Sequence, residues 1–363
     1  MEYRYHNPVS IYLGTGSLEQ LPAILAQRRT VLVIFPEARA LGLVDRLQRL
    51  VAPALLGIEE RIDPNPDVSG LAPMYERFWR EHDACEVILA VGGGSAIDTA
   101  KALMVGTASG RFDELLALLA TGKPFTPHRV TPLIAVPTTA GTGSEVTPWA
   151  TIWERAANKK HSLHLAQTWP EAAVIDPQLM LTLPRTVTVQ SALDALSHAL
   201  ESIWNVNANP ISDTLATAAA QEVIATLPLL LDAPSDLELR SRMAQAALKA
   251  GLAFSNTKTA LAHSISYEMT LRFGLPHGIA CSFTLPMVLA RAIGADAGRD
   301  AVLARVFNGD LQGAPAQLAR FLEAVGVATD FGAYGVSEED SQRMVASALE
   351  GVRGRNFIAT EKH

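Results

Sequence analysis

The sequence predicts an α/β domain over residues 1–184 joined to an all-α domain over residues 185–363, and three observations carry that reading. Up to about Leu183, short β-rich apolar runs alternate with helical stretches, the pattern of a parallel sheet covered by helices. Beyond Pro184, Ala and Leu recur at helical spacing with little interruption. A length of 363 residues exceeds the size at which one hydrophobic core keeps growing, and an apolar content of 48% is enough to fill two.

In chain order, strands are predicted at residues 31–35, 87–91, 133–136 and 172–175, with helices between them, notably at 38–51 and 96–105. The second half is predicted as helices at 192–203, 211–231, 237–254 and 314–325. Leu183-Pro184-Arg185 makes a hinge, because proline closes the preceding stretch and cannot continue a helix. There are no internal repeats and no low-complexity linker. A ligand is expected in the cleft between the two halves.

Composition removes several classes of function. Charged residues make up 18% and the net charge is -7, with both signs scattered along the chain, so no nucleic-acid footprint or polybasic membrane patch forms. The first eight residues, MEYRYHNP, are polar and lack the apolar core of a signal peptide, which leads to the expectation of a cytoplasmic protein. The longest apolar stretch, residues 223–231, is interrupted by Pro228 and falls short of the ~20 residues a spanning helix needs, so no membrane span is expected. With Cys85 and Cys281 as the two cysteines, there is no disulfide framework and no thiolate cluster. A metal site here is expected to use nitrogen and oxygen ligands.

Two loops come directly after predicted strands. The strand at 87–91 runs into Gly92-Gly93-Gly94-Ser95 and then a helix carrying Asp98 and Lys101. Three glycines let the backbone approach an oxyanion, and the free N–H groups and positive end of a helix dipole face the same point. A glycine triplet alone is equally a tight turn; the strand before it and the Ser, Asp and Lys after it favour a phosphate cradle. It fits neither G-x-G-x-x-G nor the Walker spacing. The second loop, PTTAGTGSEVT at residues 137–147, gathers the hydroxyls of Thr138, Thr139, Thr142 and Ser144, which suit phosphate or ribose oxygens or equally a solvated turn with local bonds. Two such loops at strand ends make a nucleotide the better explanation. Where its ribose would lie, Glu37 suits NAD and Arg39 could meet the 2′-phosphate of NADP or stand as an exposed helix residue.

The helical half carries Asp194 and His198, four apart and so on one helix face, and further along His263 and His277. Taken singly, each histidine is more often a satisfied core or surface residue. Asp194 and His198, however, lie among Ala192, Leu193, Ala195, Leu196, Ala199 and Leu200, and a buried charge needs a partner. One carboxylate and three imidazoles suit a divalent transition ion with room for a substrate oxygen. Such an ion acts as a Lewis acid that polarises a carbonyl for hydride attack.

Four ordered motifs, GGGSxxDxxK at residues 92–101, PTTAGTGSEVT at 137–147, DALSHALE at 194–201 and H-x13-H-G at 263–278, resemble the iron-containing (group III) alcohol dehydrogenase family. The resemblance spans nearly the whole chain and includes Gly14-Thr15-Gly16, Asn65-Pro66 and Asp176-Pro177. It implies a Rossmann-like parallel-sheet domain and a helical metal-binding domain, an architecture shared with dehydroquinate synthase, in a homodimer or higher homo-oligomer. It implies that Gly93, Gly94, Ser95, Thr138, Thr139, Thr142 and Lys160 contact the dinucleotide, NAD or NADP, with Asp98 close to the nicotinamide. It further implies that Asp194, His198, His263 and His277 hold iron(II), or zinc as in some members. Many relatives carry another histidine four residues after the third ligand; here that position is Tyr267, suited to relaying a proton or to shaping the pocket.

The substrate is read from two cations. Lys258 is placed where a helix begins just ahead of His263, an end at which cations are disfavoured, and Arg272 lies between His263 and His277. Both could hold an anionic group on the substrate or be solvated surface charges. The KTxxxHxxxY wording around Lys258 also resembles the branch of the family that reduces phosphonoacetaldehyde. The expected reaction is hydride transfer between a nicotinamide and a small aldehyde bearing a phosphonate or carboxylate. The alternatives are a cyclising lyase resembling dehydroquinate synthase and a metal-free nucleotide-binding protein.

Overall fold

The four predicted strands form the centre of a six-stranded sheet, every neighbouring pair parallel, in a computed structural model that describes residues 3–122 and 125–359. Met1 and Glu2, the start of the polar N-terminal stretch, lie outside the described residues. The chain divides into an α/β unit, Pro8–Thr139 with Ser144–Met180, and a helical unit that begins again at Leu181 and also takes in Ala140–Gly143 and the N-terminal residues up to Asn7.

Across the sheet the order is Ser10–Leu13, Ala172–Ile175, Leu133–Pro137, Val87–Gly92, Thr30–Ile34 and Leu55–Glu59. The inner strands are buried on both faces, which is why they read as unbroken runs of Val, Ile, Leu and Ala. Alternate residues serve opposite faces. Val31, Ile88, Ala90 and Leu133 pack with Tyr75, Phe78 and Ile97 on one side. Leu32, Leu89, Val91 and Ile134 pack with Leu21, Val44 and Leu47 on the other. The two edge strands carry no such signal: Ser10–Leu13 is largely exposed and Leu55–Glu59 is interrupted by Gly57. The helix expected at 38–51 is a 3-10 turn, Pro36–Ala38, and a shorter helix, Leu43–Val51.

The helical unit is organised around Arg185–Ile203, whose residues from Ala192 onward are buried all round. A helix enclosed on every side must be apolar or have its polar groups paired. It packs against Pro210–Asp232 and Leu237–Thr257. Leu261–Phe273 and the one-turn helix His277–Ala280 come next in the chain. Pro210–Asp232 corrects one sequence expectation. Pro228 does not interrupt it, and its 23 residues, with a mean hydropathy of 1.4 over the most apolar window, suffice by length and composition to cross a membrane. In this fold Ala216, Ala219, Ala220, Val223, Leu227 and Leu230 form a buried stripe, while Asp213 pairs with Arg299 at 2.6 Å and Ile211 and Leu229 are exposed, the arrangement of a helix packed along one face.

A candidate metal centre and two nucleotide loops

Asp194, His198 and Glu201 occupy one face of Arg185–Ile203 at spacings of four and three residues. His263 comes from the first turn of Leu261–Phe273, and Pro276 begins the helix that presents His277. The four predicted ligands converge. From Asp194 Oδ1, the Nε2 atoms of His263, His198 and His277 lie at 3.4, 3.7 and 3.9 Å. The His198 ring stacks on Phe254 with centroids 3.9 Å apart and on His263 at 4.7 Å, which fixes its plane. Gly278 explains how His277 comes so close: a Cβ there would stand 1.9 Å from the Gln190 carbonyl oxygen of the central helix.

Glu201, seven residues after Asp194, belongs to the site although its sequence motif assigns it no role. Its carboxylate accepts from His263 Nδ1 at 2.6 Å and from the His263 backbone N–H at 3.2 Å. It therefore caps the helix whose own N-cap, Ala260, supplies no side chain, and it fixes the imidazole tautomer. A carboxylate can only accept, so Nδ1 carries a proton, and in the neutral ring Nε2 presents the lone pair. That Nε2 is buried and makes no hydrogen bond, as expected of an atom oriented toward a metal ion.

The electrostatics point the same way. Burial alone would raise the Asp194 carboxyl, but His198 and the other two imidazoles hold it well below the usual carboxylate range. Burial pushes His198 down to about 4 against the attraction of Asp194, so it is a neutral ring, the form that ligates. Burial likewise opposes charge on Glu201, yet His263 keeps its carboxyl low. Burial opposes charge on His263, but Glu201 and Asp194 raise it above its ordinary value, so it carries the positive charge between the two carboxylates, a charge that a divalent cation would replace.

Cys281 complicates the expectation of purely nitrogen and oxygen donors. Donor atoms of Asp194, His263, His277 and Cys281 all lie within 4.8 Å of one another, a group that includes the thiol and leaves out His198. The chemistry favours His198. Burial and the neighbouring Asp194 push the Cys281 thiol well above its ordinary value, and its sulfur donates to Asp194 Oδ1 at 3.3 Å. A protonated thiol already bonded to a ligand oxygen orients that oxygen and offers the ion no thiolate. Tyr267 is also buried, and desolvation pushes its phenol up to about 12, so it stays protonated through the neutral range.

In the α/β unit, Gly92 and Pro137 are in register on adjacent strands, so the two glycine- and threonine-rich loops leave the same end of the sheet side by side. The Thr138 N–H donates to the Gly92 carbonyl at 3.0 Å, and a Cβ on Gly93 would come within 3.3 Å of Thr139 Oγ1. Gly92 itself has φ +154, a backbone that favours glycine. Helix Gly94–Leu103 starts with no side-chain cap; the Ala96 and Ile97 N–H groups donate to the Gly93 carbonyl at 3.1 and 3.3 Å, which leaves those of Gly94 and Ser95 to an external acceptor such as a phosphate. Thr142 falls in the Ala140–Gly143 stretch of the helical unit, and the Lys160 ammonium lies 5.2 Å above the Trp153 ring.

Lys101 and Ser144 of these motifs are buried, and Asp98 is half-buried beside them. Asp98 accepts from Ser144 Oγ at 2.6 Å and from the Thr151 N–H at 2.8 Å. Lys101, fully buried, donates to the Ser144 carbonyl at 2.6 Å, to Ser144 Oγ at 2.9 Å and to the Trp149 carbonyl at 2.7 Å. All three of its protons are used, and burial lowers it to about 8 despite Asp98. This network fixes the second loop against the helix that succeeds the first.

Both sequence-predicted substrate cations are placed differently from expectation. Lys258 does not begin a helix: Leu237–Thr257 runs three residues beyond Phe254, and Lys258 closes its C-terminal end, where a cation is favoured. Arg272 pairs with Glu268 one turn earlier and lies over the Phe273 ring, so its charge is already committed. Arg39, the candidate 2′-phosphate reader, is bonded through Nε to Glu60 at 3.0 Å.

Two family models match the chain, "Iron-containing alcohol dehydrogenase" over residues 8–177 and "Fe-containing alcohol dehydrogenase family, C-terminal" over residues 188–363. The chain belongs to the iron-containing alcohol dehydrogenase family. It is an oxidoreductase of a family that uses a nicotinamide cofactor and a metal. It is similar to the NAD-dependent methanol dehydrogenase of Bacillus methanolicus, 30% identical over 95% of this chain and 93% of that one. Similarity to the 1,3-propanediol dehydrogenase of Citrobacter freundii is 28% identity over 90% of this chain and 86% of the other. Among solved structures, the sulfoacetaldehyde reductase of Bifidobacterium kashiwanohense in complex with NAD+ superposes with a TM-score of 0.89 at 29% identity, covering 98% of this chain and 94% of that one. These matches run against the cyclising-lyase and metal-free alternatives.

Proposed function

We propose that the chain reduces a small aldehyde bearing a compact anionic group, using NADH and a divalent metal, iron(II) before zinc, held by Asp194, His198, His263 and His277. The observation that carries this reading is the convergence of three imidazole Nε2 atoms on Asp194 Oδ1 with the His263 nitrogen buried and unbonded. The dinucleotide is assigned to the α/β unit, its phosphates on the first turn after Gly93 and its remaining polar groups near Thr138, Thr139 and Lys160. Asp98 and Ser144, bonded to one another, set the shape of that surface from within. NADH is preferred over NADPH because Arg39 is engaged by Glu60 and Glu37 remains at the end of the second strand of the sheet.

A metal ion so held supplies a Lewis acid that polarises the carbonyl toward hydride attack. The side chains do the rest. Asp194 and the neutral His198 provide ligand atoms without first losing a proton at neutral pH. Glu201 keeps His263 in the tautomer that presents Nε2, and Cys281 steadies the Asp194 oxygen. Tyr267, a phenol that burial pushes up to about 12, stays protonated at neutral pH. The anionic substrate is supported by Lys258, an exposed cation five residues ahead of His263, and by the sulfoacetaldehyde reductase among the structural neighbours. The phosphonoacetaldehyde-reducing branch is one member of that substrate class.

The test is a spectrophotometric screen of neutral and anionic short aldehydes with NADH and NADPH, on protein loaded anaerobically with iron(II). Preferential turnover of sulfonate, phosphonate or carboxylate aldehydes with NADH is expected. Equal rates on neutral and charged aldehydes would remove the anionic substrate, and an absence of net nicotinamide oxidation would remove the reductase.

A further inference from the structure

We infer that Lys258 and Arg353 together form the anchor for the substrate's anionic group, and that the C-terminal turn carrying Arg353 is part of the substrate site. This rests on the reading of the chain as a reductase of anionic aldehydes.

Lys258 breaks a local rule. Its backbone sits at φ +66 and ψ 175, a region that glycine enters freely and residues with a Cβ enter only under strain. The conformation is enforced from outside: the Lys258 N–H donates to the Phe254 carbonyl at 2.8 Å, and its own carbonyl accepts from Asn205 Nδ2 and Thr257 Oγ1, each at 3.1 Å. Glycine would satisfy the same bonds without strain. What lysine adds is an exposed ammonium, with no carboxylate in ion-pair range among the described residues. Strained positions concentrate where a side chain has a function.

Arg353 lies against the next residue. It donates from Nη1 to Thr259 Oγ1 at 3.2 Å, and its guanidinium stands 4.9 Å over the Tyr267 ring. Tyr267 is one turn beyond His263, on the same face, and its buried phenol feels the charges of Arg353 and Glu201. Arg353 therefore sits on the ligand side of that helix. Arginines such as Arg28, Arg242 and Arg299 are each paired with a carboxylate; Arg353 has none in ion-pair range among the described residues. Its remaining N–H groups keep the planar fork that matches a sulfonate, phosphonate or carboxylate. Arg272, the sequence candidate, lacks that freedom.

The turn is fastened to this loop and cannot drift. Asn356 Nδ2 donates to the Thr259 carbonyl at 2.8 Å, the Val206 N–H donates to the Asn356 carbonyl at 2.8 Å, and Ser264 Oγ donates to the Ala348 carbonyl at 3.0 Å. A fork pre-positioned in this way and a lysine point charge on a long stem suit a small oxyanion.

The experiment uses metal-loaded wild type, Lys258→Gly, Arg353→Gln and Arg353→Lys, with sulfoacetaldehyde and its neutral counterpart propanal. Lys258→Gly and Arg353→Gln are expected to lower the ratio of kcat/KM for sulfoacetaldehyde over propanal by about 10- to 100-fold, the loss of a charge-assisted hydrogen bond, with partial recovery in Arg353→Lys. Lys258→Gly is also expected to raise the melting temperature, since strain is released. The second readout is binding: 2-hydroxyethanesulfonate should raise the wild-type melting temperature and fail to do so in Lys258→Gly and Arg353→Gln. Equal losses on both aldehydes, or an undiminished sulfonate-induced shift in both variants, would overturn the anchor. If the wild type reduces no aldehyde, the reductase reading fails and the sulfonate shift alone decides the anchor.

Discussion

Replacing Glu201 with glutamine removes one charge and no volume, yet it leaves His263 with a donor that glutamine cannot satisfy. The carboxylate now accepts two donors of His263, Nδ1 at 2.6 Å and the backbone N–H at 3.2 Å. Glutamine has one acceptor oxygen and one amide nitrogen, so it can satisfy one of these donors and opposes the other. If its oxygen keeps the backbone N–H, its amide faces Nδ1, the ring proton moves to Nε2, and the ligand atom beside Asp194 is blocked. If its oxygen keeps Nδ1, a buried backbone N–H is left against another donor, which costs about 1–3 kcal/mol. Either outcome weakens the centre by about 10- to 100-fold in metal affinity, the range found when a partner behind a ligating imidazole is lost. The assay is competition for iron(II) or zinc against a chromophoric chelator, with circular dichroism to establish that the helices persist. A Glu201→Gln protein that is folded and binds metal as tightly as the wild type would refute the tautomer argument.

Two other groups support the fold and the site without touching the ion. Burial raises Glu145 to about 7, so between its ordinary value of 4.5 and that point the folded chain keeps a proton the unfolded chain has lost. Stability should therefore fall as pH rises through that window, by up to about 3 kcal/mol, and Glu145→Gln should abolish the fall; unfolding in denaturant at pH 5 and pH 7.5 measures it, and an unchanged pH slope in the variant would contradict it. Gly278→Ala would drive a methyl to 1.9 Å from the Gln190 carbonyl, so the His277 turn must move; a loss of about 1–3 kcal/mol with weaker metal binding is expected, and a variant matching the wild type in both would show the turn to be slack.

The parts of this molecule legible in the sequence are those specified by local pattern. The central strands announce themselves because burial on both faces demands unbroken apolar runs, and the metal residues because Asp194 and His198 stand in a helix otherwise built of Ala and Leu. Edge strands are illegible: Ser10–Leu13 has an exposed face and Leu55–Glu59 a central glycine. Lys258 misleads because only three residues lie between the end of one helix and the start of the next, and the sign of the dipole effect depends on which is nearer. Glu201 carries a readable signal, seven residues after Asp194 on the same face. Arg353 carries none, since it reaches Thr259 across more than ninety residues of chain, through packing alone.

In the proposed centre, one carboxylate and three imidazoles hold a single divalent ion while Cys281 remains a thiol. X-ray absorption at the metal edge of anaerobically loaded protein addresses this most directly. One ion per chain is expected, with a shell of nitrogen and oxygen neighbours at about 2.0–2.2 Å and the multiple-scattering signature of imidazole. A sulfur neighbour at about 2.3 Å, or protein that retains no ion, would contradict it.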